Sequence, residues 1–225
     1  YKINRQRKGA PKIDKLNIKI VDGSQVYAGL QSGEIDITQL TMTAIPETDY
    51  ESIEALDNVK AVYGVPVTTQ SVYVQTANLP DARVRQALVY AIDRQKLVDE
   101  LLKGHGDVTE GFVTSASPYF DESIEATPYD PEKAKELLAE AGYADGFELS
   151  IMVPSAYSQH VSTAEIIVEN LKAVGIDAKL DLVEWSTWLS ECYQGRKYEA
   201  TVIGVDGKLV TDVGCRNAQK AGGAK

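Results

Sequence analysis

From residue 147 onward, apolar runs and amphipathic stretches alternate without interruption. In Phe147-Glu-Leu-Ser-Ile-Met-Val153, Leu149, Ile151 and Val153 recur at a period of two, which predicts a strand. Val161 to Val174 carries apolar residues at helical spacing, Asp177 to Glu184 predicts a second strand, Trp185 to Gly195 a helix and Tyr198 to Ile203 a third strand. Strands joined through helices in this way run parallel, because parallel neighbours need a long connection that a helix fills. The expected unit is therefore β-α-β-α-β, with right-handed crossovers and helices covering the sheet.

Two helices are marked out upstream. Asp81 has the character of an N-cap, and Val84, Ala87, Leu88, Ala91 and Ile92 form one apolar stripe, so a helix is expected over Val84 to Leu102. In Tyr129-Asp-Pro-Glu-Lys-Ala-Lys-Glu-Leu-Leu-Ala-Glu-Ala-Gly142, Asp130 caps and Pro131 sits where a missing N–H costs nothing. Ala134, Leu137, Leu138 and Ala141 supply the buried face of this helix, Glu132 to Ala141, and Gly142 stops it. Nearer the amino end, Leu16-Asn-Ile-Lys-Ile-Val21 alternates as a half-buried strand does. A short helix from Ser24 to Gln31 ended by Gly33, a strand at Ile35 to Ile37 and a helix from Pro46 to Leu56 follow. Two β-rich runs, Val59 to Val65 and Ser71 to Gln75, flank Pro66 and the Thr68-Thr69-Gln70 stretch. Gly104 to Thr127 reads as a loop long enough to be functional, and the tail over 209–225 predicts no element.

Composition narrows the classes. A hydrophobic content of 44% over 225 residues is ample for a core, so disorder is not the default reading. No apolar run is long enough to cross a bilayer. The net charge of -10 repels phosphate backbones, and the one basic cluster, Lys2, Arg5, Arg7, Lys8 and Lys12, reads as a solvated segment, which argues against nucleic acid as a partner. Cys192 and Cys215 permit at most one disulfide; Cys192 also fits as a small hydrophobe on a buried helix face, and the pattern leaves both readings open. His105 and His160 have no cysteine or second histidine at zinc-ligand spacing, so neither a metal site nor a cofactor is expected.

Catalysis is not indicated either. No G-x-S-x-G motif is present, and the serines around His160 stand at a loop and helix start, where serine serves as a cap. The carboxylate pairs Asp121/Glu122 and Asp130/Glu132 lie at helix starts, where they favour the dipole, and Gly204-Val-Asp-Gly207 lacks the spacing of a phosphate loop.

The wording of three segments is more specific than their periodicity. Val84-Arg-Gln-Ala-Leu with Ala91-Ile-Asp-Arg94, the Tyr129 to Tyr143 helix, and Gly29-Leu-Gln-Ser-Gly-Glu-Ile-Asp-Ile37 together resemble the family 5 bacterial extracellular solute-binding proteins, which deliver peptides, nickel or oligosaccharides to ABC transporters. The resemblance implies an α/β fold of the two-lobed type II periplasmic-binding-protein kind, here incomplete, since family members are more than twice this length. Residues 1–68 would belong to one lobe and 69–225 to the other, which is inserted into the first. A non-enzymatic, monomeric binding component is implied, closing over an oligopeptide or related solute and docking on ABC permease subunits. It would be periplasmic or a membrane-anchored extracellular lipoprotein, with its signal segment outside this stretch. The alternatives are a ligand-sensing module on the same fold or a hydrolase.

Open α/β sheets bind ligands at the carboxyl ends of their strands. Three loops qualify: Pro154 to His160, offering Tyr157 and His160; Glu184 to Trp188, offering Trp185; and Gly204 to Lys208. In the third, peptide-binding members follow the strand with Gly-Trp and then an aspartate that holds the peptide's amino terminus. Here Val205 replaces the tryptophan, Lys208 stands about where the aspartate falls, and Asp206 lies two positions early. The first loop lacks the arginine with which dipeptide-binding members hold a terminal carboxylate. Val205, Asp206 and Lys208 thus join the candidates, and the departures argue against a preference for dipeptides.

Overall fold

The computed structural model describes residues 13, 15–38, 45–62, 68–111, 113–117 and 119–206. Four strands, β1 (Thr68–Val74), β2 (Phe147–Pro154), β3 (Ile176–Val183) and β4 (Ala200–Asp206), form one mixed sheet in the order β1-β4-β2-β3. β2 runs parallel to β3 and to β4, while β1 pairs antiparallel with β4. The expected β-α-β-α-β unit is present, closed on one side by an antiparallel edge strand.

The period-two pattern decides what is buried. Leu149, Ile151 and Val153 of β2 are at most 2% exposed, the burial expected of a central parallel strand. α6 (Ser158–Ala173) lays Ala164, Ile167 and Leu171 over them. Gly146, at φ 80°, precedes β2; a Cβ there would lie 1.8 Å from the Gly175 carbonyl oxygen, so only glycine lets the two parallel strands start side by side.

α3 (Ala82–Ala91) and α5 (Pro131–Glu140) pack on the same core through Val84, Ala87, Leu88, Ala134, Leu137 and Leu138. Their caps are those the sequence called for: Asp81 accepts the Arg83 N–H at 2.8 Å and Asp130 the Lys133 N–H at 2.9 Å. The helix expected to continue to Leu102, however, is broken. Ile92 adopts an extended conformation and α4 (Arg94–Leu101) starts afresh. Asp93 caps it by accepting the Lys96 N–H at 3.0 Å, and its own N–H goes to Asn170 of α6 at 2.9 Å. Local capping plus a buried tertiary acceptor outcompete one long helix.

A separate small cluster, Val26, Leu30 and Ile53, joins α1 (Val26–Ser32) to α2 (Tyr50–Glu54). Gly33, at φ 74°, ends α1 as expected. The strands expected at Leu16 to Val21 and Ile35 to Ile37 are absent. Residues 15–22 have no strand beside them among the described residues, and Leu16, Ile18 and Ile20 are 68%, 77% and 99% exposed. An alternating pattern makes a strand only when a neighbour completes the ladder. Val59 to Val62 likewise forms no strand, residues 63–67 lie outside the described residues, and β1 instead begins at Thr68, within the stretch read as a separator.

Candidate functional site

The chain reverses direction across the sheet at one place. From β2 it passes through α6 to β3 on one side. From β3 it passes through α7 (Trp185–Thr187), which continues as a π-helix over Trp188–Gln194, to β4 on the other side of β2. The Gln70 side chain reaches Thr163 of α6, whereas Thr201 receives a bond from Trp188. Gln70 pairs with Gly204, an odd number of residues from Thr201, so the two helices cover opposite faces. Crossovers of one hand directed to opposite sides give this arrangement, and in open α/β sheets the place for a ligand is the crevice outside the carboxyl ends of the strands where the order reverses, here β2 and β4.

β2 leaves the sheet at Pro154, but β4 runs on to Asp206. Its ladder with β2 covers Ile151–Ala200 and Met152–Thr201. Beyond that point the first turn of α6 takes the place of the strand: His160 Nε2 accepts the Gly204 N–H at 3.3 Å. His160 is 3% exposed, and burial pushes its pKa down to about 4, so the ring is neutral at neutral pH. Since Nε2 accepts, the hydrogen of the neutral ring is on Nδ1, which is buried and has no partner. Gln70 ties β1 to the same turn through the Thr163 hydroxyl and, at 3.4 Å, the Gln159 carbonyl.

A row of rings links the first two loops. Tyr157 lies 5.3 Å from His160 and meets Trp185 edge-on at 5.2 Å; Trp185 stacks on Trp188 at 5.1 Å and 7°; Trp188 stacks on Tyr193 at 6.2 Å. Trp188 is the buried anchor. Its Nε1 donates to the Thr201 hydroxyl at 3.0 Å, which donates on to the Met152 carbonyl at 2.6 Å. Trp185 is 37% exposed, so the row presents an open aromatic surface. The π-helix makes this possible: its wider turns, with Gly195 N–H bonded to Ser190 O at 2.8 Å, bring residues five apart onto one side, as Trp188 and Tyr193 are.

Of the residues singled out in the sequence, the fold gathers Tyr157, His160 and Trp185 into one row of rings at the carboxyl ends of β2 and β3. Val205 lies on β4 beyond Gly204, 37% exposed and paired with Thr69. Asp206 closes β4, but its side chain, and all of Lys208, fall outside the described residues. The sequence reading missed Gln70, Tyr193 and Thr201. Thr201 had a signal, a hydroxyl in an otherwise apolar central strand, which asks for a buried partner. Cys192 is 2% exposed with its thiol pushed up to about 11 by burial, and Cys215 lies outside the described residues. Among the described residues no group of three or more His, Cys, Asp or Glu could hold a metal ion, and no helix is long and apolar enough to cross a membrane.

Residues 1–214 match the family described as bacterial extracellular solute-binding proteins, family 5, middle region. The chain belongs to that family. The family is one of solute-binding proteins rather than enzymes. This family 5 chain is 28% identical over 200 residues to the oligopeptide-binding protein AppA of Bacillus subtilis, covering 81% of itself and 36% of that relative. It is 29% identical over 195 residues to heme-binding protein A of Haemophilus influenzae, covering 84% of itself and 35% of that relative. It therefore spans little more than a third of the length of these curated relatives. The solved structure of Bacillus subtilis AppA, in complex with a nonapeptide, superposes with a TM-score of 0.69 at 27% identity, covering 85% of this chain and 40% of that one.

Proposed function

We propose that this chain is the middle part of the solute-binding component of an ABC importer that closes over a peptide-like solute. The observation that carries the reading is the convergence of Tyr157, His160 and Trp185 at the carboxyl ends of β2 and β4, beside the first-turn N–H groups of α6. Main-chain donors and flat aromatic faces suit an extended peptide, whose amides repeat and whose side chains vary. The likeness to a relative named for oligopeptide binding supports the same class. In this reading residues from about 69 onward form one lobe and residues 1–68 part of the other; the separation of the α1/α2 cluster from the main core favours that division. Lobe closure follows from linkage: a solute touching both lobes binds the closed form more tightly and so populates it. The whole protein is periplasmic or membrane-anchored and hands its cargo to permease subunits.

The test is a thermal-shift panel on the full-length protein, with dipeptides, tri- to nonapeptides, heme, nickel complexes and oligosaccharides. Stabilisation by the longer peptides is expected. Stabilisation by heme alone would instead assign the exposed Trp185 face to a planar cofactor-like cargo, the class named in the Haemophilus relative.

A further inference from the structure

We infer that His160 Nδ1–H and the unpaired N–H groups at the start of α6 form a subsite for an uncharged carbonyl oxygen of the solute, an amide carbonyl above all. The inference rests on the solute-binding reading above and names what one wall of the crevice recognises. Three observations carry it.

The first is the tautomer. Gly204 N–H occupies Nε2, so the neutral ring has its hydrogen on Nδ1, and that N–H is buried with no acceptor. Buried donors are seldom left unpaired, and one that is unpaired in the free protein at a ligand crevice marks where an acceptor belongs.

The second is the helix start. Tyr157, at the N-cap of α6, has no side chain that accepts from the first turn, and its carbonyl takes the N–H groups of His160 and Val161. The N–H groups of Ser158 and Gln159 have no partner among the described residues. His160 itself stands in this first turn, so the unpaired ring N–H and the unpaired backbone N–H groups belong to one three-residue segment, Ser158 to His160.

The third is the lack of a cationic side chain among the described residues. The described residues of the crevice, Gln70, Tyr157, Ser158, Gln159, His160, Thr163, Trp185 and Gly204, include no lysine or arginine, and burial keeps His160 neutral. A carboxylate would exchange its hydration for neutral dipoles, whereas an amide carbonyl loses far less on leaving water.

The test uses the full-length protein with tetra-alanine and tetra-alanine amide as probes. His160→Gln keeps an amide oxygen at the reach of Nε2, able to accept from Gly204, but places nothing at Nδ1. Calorimetry is expected to show the two peptides binding the wild type within about threefold of each other, and each weakened about tenfold in His160→Gln, as for loss of one bond to a buried donor. Nitrogen-15 NMR of the wild type is expected to show the His160 proton on Nδ1 and to move it downfield on peptide addition; this readout stands even if the variant folds poorly. Equal affinity in a folded His160→Gln protein, a proton on Nε2, or a more than tenfold preference for the free acid would each overturn the inference and leave the peptide reading standing. Binding of neither peptide by the wild type would overturn both.

Discussion

His160 Nε2 and Gly204 N–H meet at 3.3 Å where β4 has outrun the end of β2. A side chain completes there what a strand no longer supplies, and it does so only while the imidazole is neutral. In the unfolded chain the histidine titrates near its ordinary 6.5; in the folded chain burial holds it at about 4. Between those values the unfolded chain binds a proton that the folded chain refuses, so the contribution of His160 to stability falls as pH drops from 6.5 toward 4 and levels off below. The upper limit of the loss is about 3 kcal/mol from the size of the shift. Urea unfolding of wild type and His160→Gln at pH 7 and pH 4.5 checks this: the variant should lose less stability between the two.

The Trp188–Thr201–Met152 chain predicts a different signature. Thr201→Val leaves the buried indole N–H and the Met152 carbonyl without their hydroxyl partner. A loss of about 1–3 kcal/mol is expected, the cost of stranding a buried polar group. Trp188→Phe in the same background should then cost less than it does alone, because the donor it removes has already lost its acceptor. Additive losses in denaturant unfolding would show the bond to be energetically idle.

The break between α3 and α4 can be tested at its tertiary support. Asn170→Leu removes the acceptor of the Asp93 N–H and should destabilise the fold by about 1–3 kcal/mol. Asp93→Ala removes only a cap and should cost about 1 kcal/mol. Thermal unfolding of the two variants ranks them.

These cases show what a linear pattern can carry. Leu149, Ile151 and Val153 announced a buried strand because period-two alternation is a local property, and Asp130-Pro131 announced a helix start because capping is local too. The Asp93 break was unreadable because its decisive acceptor, Asn170, comes from a distant helix. Leu16, Ile18 and Ile20 misled for the converse reason: alternation states what a strand would bury without supplying the neighbour. Of the candidate site, the meeting of Tyr157, His160 and Trp185 was legible from their places after strands. The π-turn that aligns Trp188 with Tyr193 left no mark, since it depends on where bonds close rather than on which residues repeat.

The third loop predicts selectivity. The resemblance to the family implies that Val205 stands in for the tryptophan of peptide-binding members and that Asp206 lies two positions before their aspartate, and the loop before α6 has no arginine. A free dipeptide brings two charges close together, and a buried charge without its partner costs about 3–5 kcal/mol. The full-length protein should therefore bind tri- or longer peptides in preference to dipeptides in competitive calorimetry, and a dipeptide preference would contradict this reading of the loops.

The account centres on the crevice between β2 and β4 as the place where solute is held. Hydrogen–deuterium exchange of the full-length protein, with and without the peptide that stabilises it most, addresses this directly. New protection is expected in residues 155–160, 185–188 and 202–206 together. Protection by a bound peptide that leaves all three segments unchanged would contradict it.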